Sequence, residues 1–129
     1  MRNRLLILII ALGIFSLGLF IILENNSKIT FTVEKDMINI GKVKKNDKSE
    51  AVFRIKNTGK KDIIIKNVLS DCHCTIPDWS SEPILQGETY VLNVTYDNHK
   101  LGFFEQTVSI YIKDTDIVPL LIMRGTVVE

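Results

Sequence analysis

The stretch from Glu50 to Asn57 alternates strictly, with Ala51, Phe53 and Ile55 on one side of the chain and Arg54 and Lys56 on the other. A period of two places one set of side chains on each face of an extended strand and does not fit a helix. Thr89 to Tyr96 repeats the pattern, with Tyr90, Leu92, Val94 and Tyr96 sharing a face. Phe104 to Lys113 repeats it again, with Val108, Ile110 and Ile112 inward and Thr107, Ser109 and Lys113 outward. Ile29 to Val33, Met37 to Val43, Asp62 to Leu69 and Ile117 to Val128 are further apolar-rich runs. Polar turns at Asn57 to Lys60, Asp97 to Gly102 and Asp114 to Asp116 separate several of them. Short strands joined by short turns predict an all-β fold, an antiparallel β-sandwich of about seven strands. Phe53, Ile55, Ile63, Ile65, Leu92, Val94, Val108, Ile110 and Met123 form its predicted core.

One run breaks its own parity. Ile63 and Ile65 point one way, while Val68, Ser70, Cys72, Cys74 and Ile76 fall on the opposite parity. If all the apolar members face the core, one extra residue must sit near Lys66-Asn67, which is what a β-bulge supplies. Both cysteines then point to the core side.

The N-terminus is of another kind. Leu5 to Leu23 is a run of 19 residues without a charge. As a helix it measures about 28 Å, close to the hydrocarbon thickness of a bilayer. It is longer than a signal-peptide core and lacks a small-residue cleavage site after it, so the expectation is an uncleaved anchor. Arg2 and Arg4 precede the run and place residues 1–4 in the cytoplasm. Residues 5–23 then span the cytoplasmic membrane once. Residues 24–28 form a linker reaching roughly 15–20 Å, and residues 29–129 form the sandwich outside the cytoplasm, periplasmic or extracellular.

Without Arg2 and Arg4 the chain keeps 14 basic against 15 acidic residues. Lys42, Lys44, Lys45 and Lys48 cluster but are interleaved with Asp47 and Glu50, a solvated turn rather than a nucleic-acid stripe. The chain lacks Gly-x-Ser-x-Gly, a phosphate-binding loop and His-Glu-x-x-His. No enzymatic activity, cofactor or nucleic-acid partner is expected.

Both cysteines of the chain lie in Ser70 to Trp79, flanking His73. Three readings of Cys72 and Cys74 stand open: a buried structural thiol pair, a disulfide, and a metal site completed by His99. Free cysteines are among the most buried side chains. A disulfide across so short a loop contributes only about 1.6 kcal/mol of chain entropy before strain. Structural zinc sites usually space their cysteines more widely, and this set lacks a fourth ligand. His73 is a poor partner for either thiol, because neighbours on a strand point to opposite faces.

Two features suggest a contact surface. Trp79 reads as a lid on the end of the sandwich or as a binding aromatic. The last strand is apolar on both faces, with Leu121 and Met123 on one and Leu120 and Ile122 on the other. Such a strand is either covered or, at a sheet edge, ready to pair with a partner's strand. Trp79, Leu120 and Ile122 are therefore the candidate partner surface.

Asn57-Thr58-Gly59, Ile63-x-Ile65-x-x-Val68, Cys72-x-Cys74-Thr75, Pro83-Ile84-x-x-Gly87-Glu88 and Gly125-x-Val127 together resemble a known pattern. It is that of a bacterial family catalogued as a domain of unknown function, whose hallmark is Cys-Gly-Cys-Thr. The family is similar in fold to the immunoglobulin-like sandwiches of major sperm protein, PapD-type chaperones and ASH domains. The resemblance covers roughly Met37 to Val127 and implies an immunoglobulin-like fold, with no catalytic residues to carry over. His73 stands where the family has glycine, which implies a turn suited to positive φ. The expectation is a membrane-anchored, non-catalytic interaction or scaffolding module of the cell envelope with a protein partner there. The alternative is a thiol-redox or metal-binding module using Cys72 and Cys74.

Overall fold

The computed structural model describes residues 2–24 and 28–129. A helix, α1, runs over Arg2–Glu24, and eight strands follow among the described residues. They are β1 (Phe31–Val33), β2 (Met37–Lys44), β3 (Lys48–Asn57), β4 (Ile65–Ser70), β5 (Thr75–Asp78), β6 (Thr89–Asp97), β7 (Gly102–Ile112) and β8 (Leu120–Val128). They form two four-stranded sheets in the orders β1-β3-β6-β5 and β2-β8-β7-β4. This is the strand arrangement of a constant-type immunoglobulin sandwich, with the first strand divided between the two sheets.

The alternation seen in the sequence becomes the core. All nine residues of the predicted core are at most 1% exposed. Ala51, Ile84, Tyr96, Phe104, Ile112 and Leu121 join them in one cluster. The Tyr96 and Phe104 rings stack with centroids 4.0 Å apart. Burial holds the Tyr96 phenol above its ordinary pKa, because the ionised ring would lose its hydration.

The parity break in β4 is a bulge. Ile65 pairs with Ile112 and Asn67 with Tyr111, so Lys66 is the extra residue. Past it, Val68 and Ser70 face inward opposite Ile110 and Val108. A second irregularity lies in β2 between Asn39 and Lys42, around Gly41 at φ +75°.

Two expectations about the sheets need correction. The sandwich has eight strands because Thr75–Asp78, too short and proline-bearing to show a period, pairs with β6. The pairing is not all antiparallel, since β2 runs parallel to β8. Of the two readings left open for β8, covered or edge, the structure has the covered one, because β8 lies between β2 and β7 with partners on both sides.

Among the described residues, no helix is long and apolar enough to cross a membrane. The side chains of Leu5 and of residues 19–23, within the run read as an anchor, lie outside the described residues, as does the middle of the 24–28 linker. The transmembrane span is thus not shown by the structure. What is described of α1 is apolar on every side, with Leu6, Ile7, Leu8, Ile9, Ile10, Leu12, Ile14, Phe15 and Leu17 all exposed.

Candidate functional site

The Cys72-His73-Cys74 stretch lies where the chain crosses from β4 in one sheet to β5 in the other, between Ser70 and Thr75. A disulfide joins Cys72 to Cys74. Six further contacts hold the crossover. Ser70 Oγ lies 2.9 Å from the Cys72 carbonyl and 2.8 Å from that of Thr75, its one proton shared between them. Thr75 N donates to Cys72 O at 3.3 Å, closing the turn. Asp71 N donates to Thr107 O, and Thr107 N returns a bond to Asp71 Oδ2 at 3.2 Å. An oxidised Cys72 has no proton, so at 3.6 Å the Thr75 hydroxyl is the donor to Cys72 Sγ.

Both cysteines are partly buried, and Cys74 packs against the core. With both sulfurs joined to each other, neither is a thiolate that can ligate a metal. His99 does come to this end of the sandwich, two residues beyond Asp97, whose N–H donates to Cys74 O at 2.9 Å. Its ring is exposed, with Nε2 3.8 Å from Asp97 Oδ2. The described residues contain no cluster of three or more metal-ligating side chains. His73 is not in the positive-φ region, where Asn46 and Asp114 are the non-glycine residues among those described. The turn therefore accepts histidine without the conformational freedom of glycine. A groove of about 350 Å³, lined by Leu69, Ser70, Asp71, Cys72, His73 and Pro77 among others, lies beside the crossover.

The four sheet edges are unsuited to accepting a strand. β1 has three residues. β2 is interrupted at Gly41. On β4, the Val68 N–H is bonded to Asn67 Oδ1 at 2.9 Å, next to the bulge. On β5, Thr75 has both backbone groups bonded within the crossover, and Pro77 has no N–H. Short strands, bulges and edge proline are the usual devices that prevent edge pairing.

The exposed apolar surface lies instead on the outer face of the β2-β8-β7-β4 sheet. Leu120 is 54% exposed and faces Ser109, which in turn faces Leu69, 49% exposed. Ile122 pairs with Thr107 on one side and Met37 on the other, and Met37 and Tyr111 are exposed as well. Leu120 and Ile122, read from the sequence as partner residues, thus belong to one face. Trp79 does not share it, since it follows β5 in the other sheet and packs against the core. Leu69, Met37 and Tyr111 were missed. Their signal was outward parity, which becomes visible only once the bulges and pairings are known.

No curated protein sequence matches the chain. Solved structures share its fold. An ASH/PapD-like domain of human CEP192 superposes with a TM-score of 0.63 at 11% identity, covering 77% of this chain and 85% of that one. A protein of unknown function from Porphyromonas gingivalis W83 gives 0.62 at 14% identity, covering 76% of this chain and 46% of that chain. WR4, a C. elegans member of the MSP family, gives 0.50 at 9% identity, covering 78% of this chain and all of that one. At these identities the likeness is one of fold. In sequence, residues 31–127, from β1 to nearly the end of β8, match the family described as a protein of unknown function (DUF1573), and the chain belongs to that family.

Proposed function

We propose that the protein is a membrane-anchored, non-catalytic interaction module of the cell envelope, binding a protein partner through the outer face of the β2-β8-β7-β4 sheet. The observation that carries this reading is Leu69, Met37, Leu120, Ile122 and Tyr111 gathered on one open sheet face while every edge is blunted. Exposed apolar patches on a soluble domain mark contact sites. The PapD-like fold of the neighbours is compatible with an interaction role. The anchor rests on the 19-residue uncharged run, supported by an α1 surface that is apolar on all sides and uncovered where it is described. Such a helix is matched by lipid, not water. The basic Arg2 and Arg4 orient it with the sandwich outside the cytoplasm.

The partner surface is tested by placing a photo-crosslinking residue at position 120 of the full chain in its native membrane. Leu120 points outward, so the fold tolerates the change. A discrete crosslinked adduct that vanishes in an Ile122→Asp/Leu69→Asp background supports the reading. Crosslinking unaffected by those substitutions ends it. A thiol-exchange role has one observation in its favour, a disulfide whose two cysteines are only partly buried beside a groove. Exchange requires an incoming thiolate to attack one sulfur and release the other as a thiolate. A Cys74→Ser variant that traps a mixed disulfide on Cys72 in cells would favour that role over the interaction module.

A further inference from the structure

We infer that the end of the sandwich carrying the β7–β8 loop rests on the lipid surface of the membrane that holds α1. The inference depends on the anchor reading above. Three observations on different elements converge on it.

The first is tether length. Ile29 packs against the core, and Thr30 O accepts a bond from Thr58 N at 3.1 Å, so the chain is fixed to the sandwich there. From Glu24, the last residue of α1, to Ile29 is five residue steps, at most about 17 Å of extended chain. The end of the sandwich where Ile29 docks is thus held at the membrane surface.

The second is topology. Phe31, the start of β1, pairs with Asn57, the end of β3. Lys56 pairs with Thr89, the start of β6, and Ile63 bridges Ile84 in the β5–β6 connection. Lys113, just past β7, bonds Ile64 O. The β3–β4, β5–β6 and β7–β8 connections therefore share the end at which the tether enters. The disulfide crossover and the β6–β7 loop lie at the other end, about 30 Å away along the strands.

The third is the exposed apolar side chains at the tethered end. Leu85 is 48% exposed, Ile117 57% and Val118 36%. Ile117 and Val118 sit on a loop, where large exposed apolar residues serve no packing role of their own. At this end Lys60, Lys61 and Lys113 stand against Asp62, Glu82, Glu88, Asp114 and Asp116, so its three connections have no basic excess to attract anionic lipid. The contact is apolar, and zwitterionic phosphatidylcholine vesicles are the probe.

The chain has a single tryptophan, which makes the test direct. Two full-chain reporters are built in a Trp79→Phe background, Ile117→Trp at the tethered end and Leu101→Trp, in the β6–β7 loop, at the far end. Each is reconstituted into phosphatidylcholine vesicles containing lipid with a quencher at headgroup depth. We expect loss of emission for the Ile117→Trp reporter and unchanged emission for Leu101→Trp, with both proteins floating with the vesicles. Adding Val118→Asp and Leu85→Asp should restore emission without affecting flotation. Flotation with unquenched Ile117→Trp emission, as when these residues serve a protein partner instead, overturns the lipid contact and leaves the anchor intact. Failure to float overturns the anchor and the contact together.

Discussion

The Asn57 side chain donates to the Ile84 carbonyl at 2.8 Å, a bond that spans 27 residues of sequence and is completely enclosed. The same amide nitrogen donates to Lys61 O at 2.9 Å, and Asn57 Oδ1 accepts from Gly59 N at 3.0 Å. Its backbone is engaged too, with Glu88 O and Gly87 N. One residue thus ties the end of β3 to its own turn and to the β5–β6 connection. Leu85 N is capped in turn by Glu88 Oε2 at 2.9 Å. The Asn57-Thr58-Gly59 and Pro83-Ile84-x-x-Gly87-Glu88 motifs are two halves of one hydrogen-bonded unit.

Asn57→Ala should be among the costliest polar substitutions in the sandwich. It strands buried backbone groups, each worth about 1–3 kcal/mol when unsatisfied. Urea unfolding should show a loss of about 3 kcal/mol or more. A loss below about 1 kcal/mol would mean that water replaces the amide, against the complete burial of Asn57.

The disulfide should matter much less. The loop it closes is so short that chain entropy offers about 1.6 kcal/mol at most. Ser70, Asp71 and Thr75 hold the crossover independently of it. A Cys72→Ser/Cys74→Ser variant should keep its circular dichroism spectrum and lose no more than about 2 kcal/mol. Alkylation of the unreduced domain should label neither cysteine, and labelling of both would show free thiols instead.

Gly125 allows the close parallel approach of β2 to β8. A Cβ there would lie 2.9 Å from the Gly41 carbonyl and from Ile40 Cγ1, and 3.0 Å from the Phe104 ring. Gly125→Ala should cost about 1–3 kcal/mol, as overpacking typically does. Pairing it with Phe104→Leu relieves the ring contact but not the backbone one. The double variant should recover only part of the loss, measured as non-additivity in a thermodynamic cycle.

Tyr96 predicts an alkaline limit. Its folded-state pKa is raised above the unfolded value of 10.0 by burial. Below that value both states carry the proton and the stabilisation is intact. As pH rises past it, the unfolded chain loses its proton first, and stability falls by at most about 1.4 kcal/mol per pH unit until the folded phenol also ionises. Denaturant midpoints followed from pH 8 to 11.5 should fall less steeply in Tyr96→Phe. Identical slopes would show that Tyr96 titrates alike in both states.

The comparison of sequence with structure separates two kinds of information. Side-chain parity is local, because a strand's geometry sends alternate residues to opposite faces whatever its neighbours are. That is why the core residues and the bulge at Lys66 were legible beforehand, the bulge as a clash of parity between Ile65 and Val68. Which strands become neighbours is not local. Leu120 and Ile122 show that the outer face of β8 is apolar, but nothing in their spacing says that β2 covers that strand's edge in parallel. The strand at Thr75–Asp78 exists only because β6 supplies its hydrogen-bond partners.

Cys72-His73-Cys74 lies on the boundary between the two. The sequence alone placed two cysteines near a corner of the fold, of which Cys74 does pack against the core, and left a thiol pair, a disulfide and a metal site open. The tertiary structure decided among these, because the crossover between sheets, pinned by Ser70 and by the Asp71–Thr107 bonds, sets where the two sulfurs meet. Covalent geometry and side-chain period are written into each residue. The choice of partners depends on the summed packing of strands distant in sequence, which no single stretch contains.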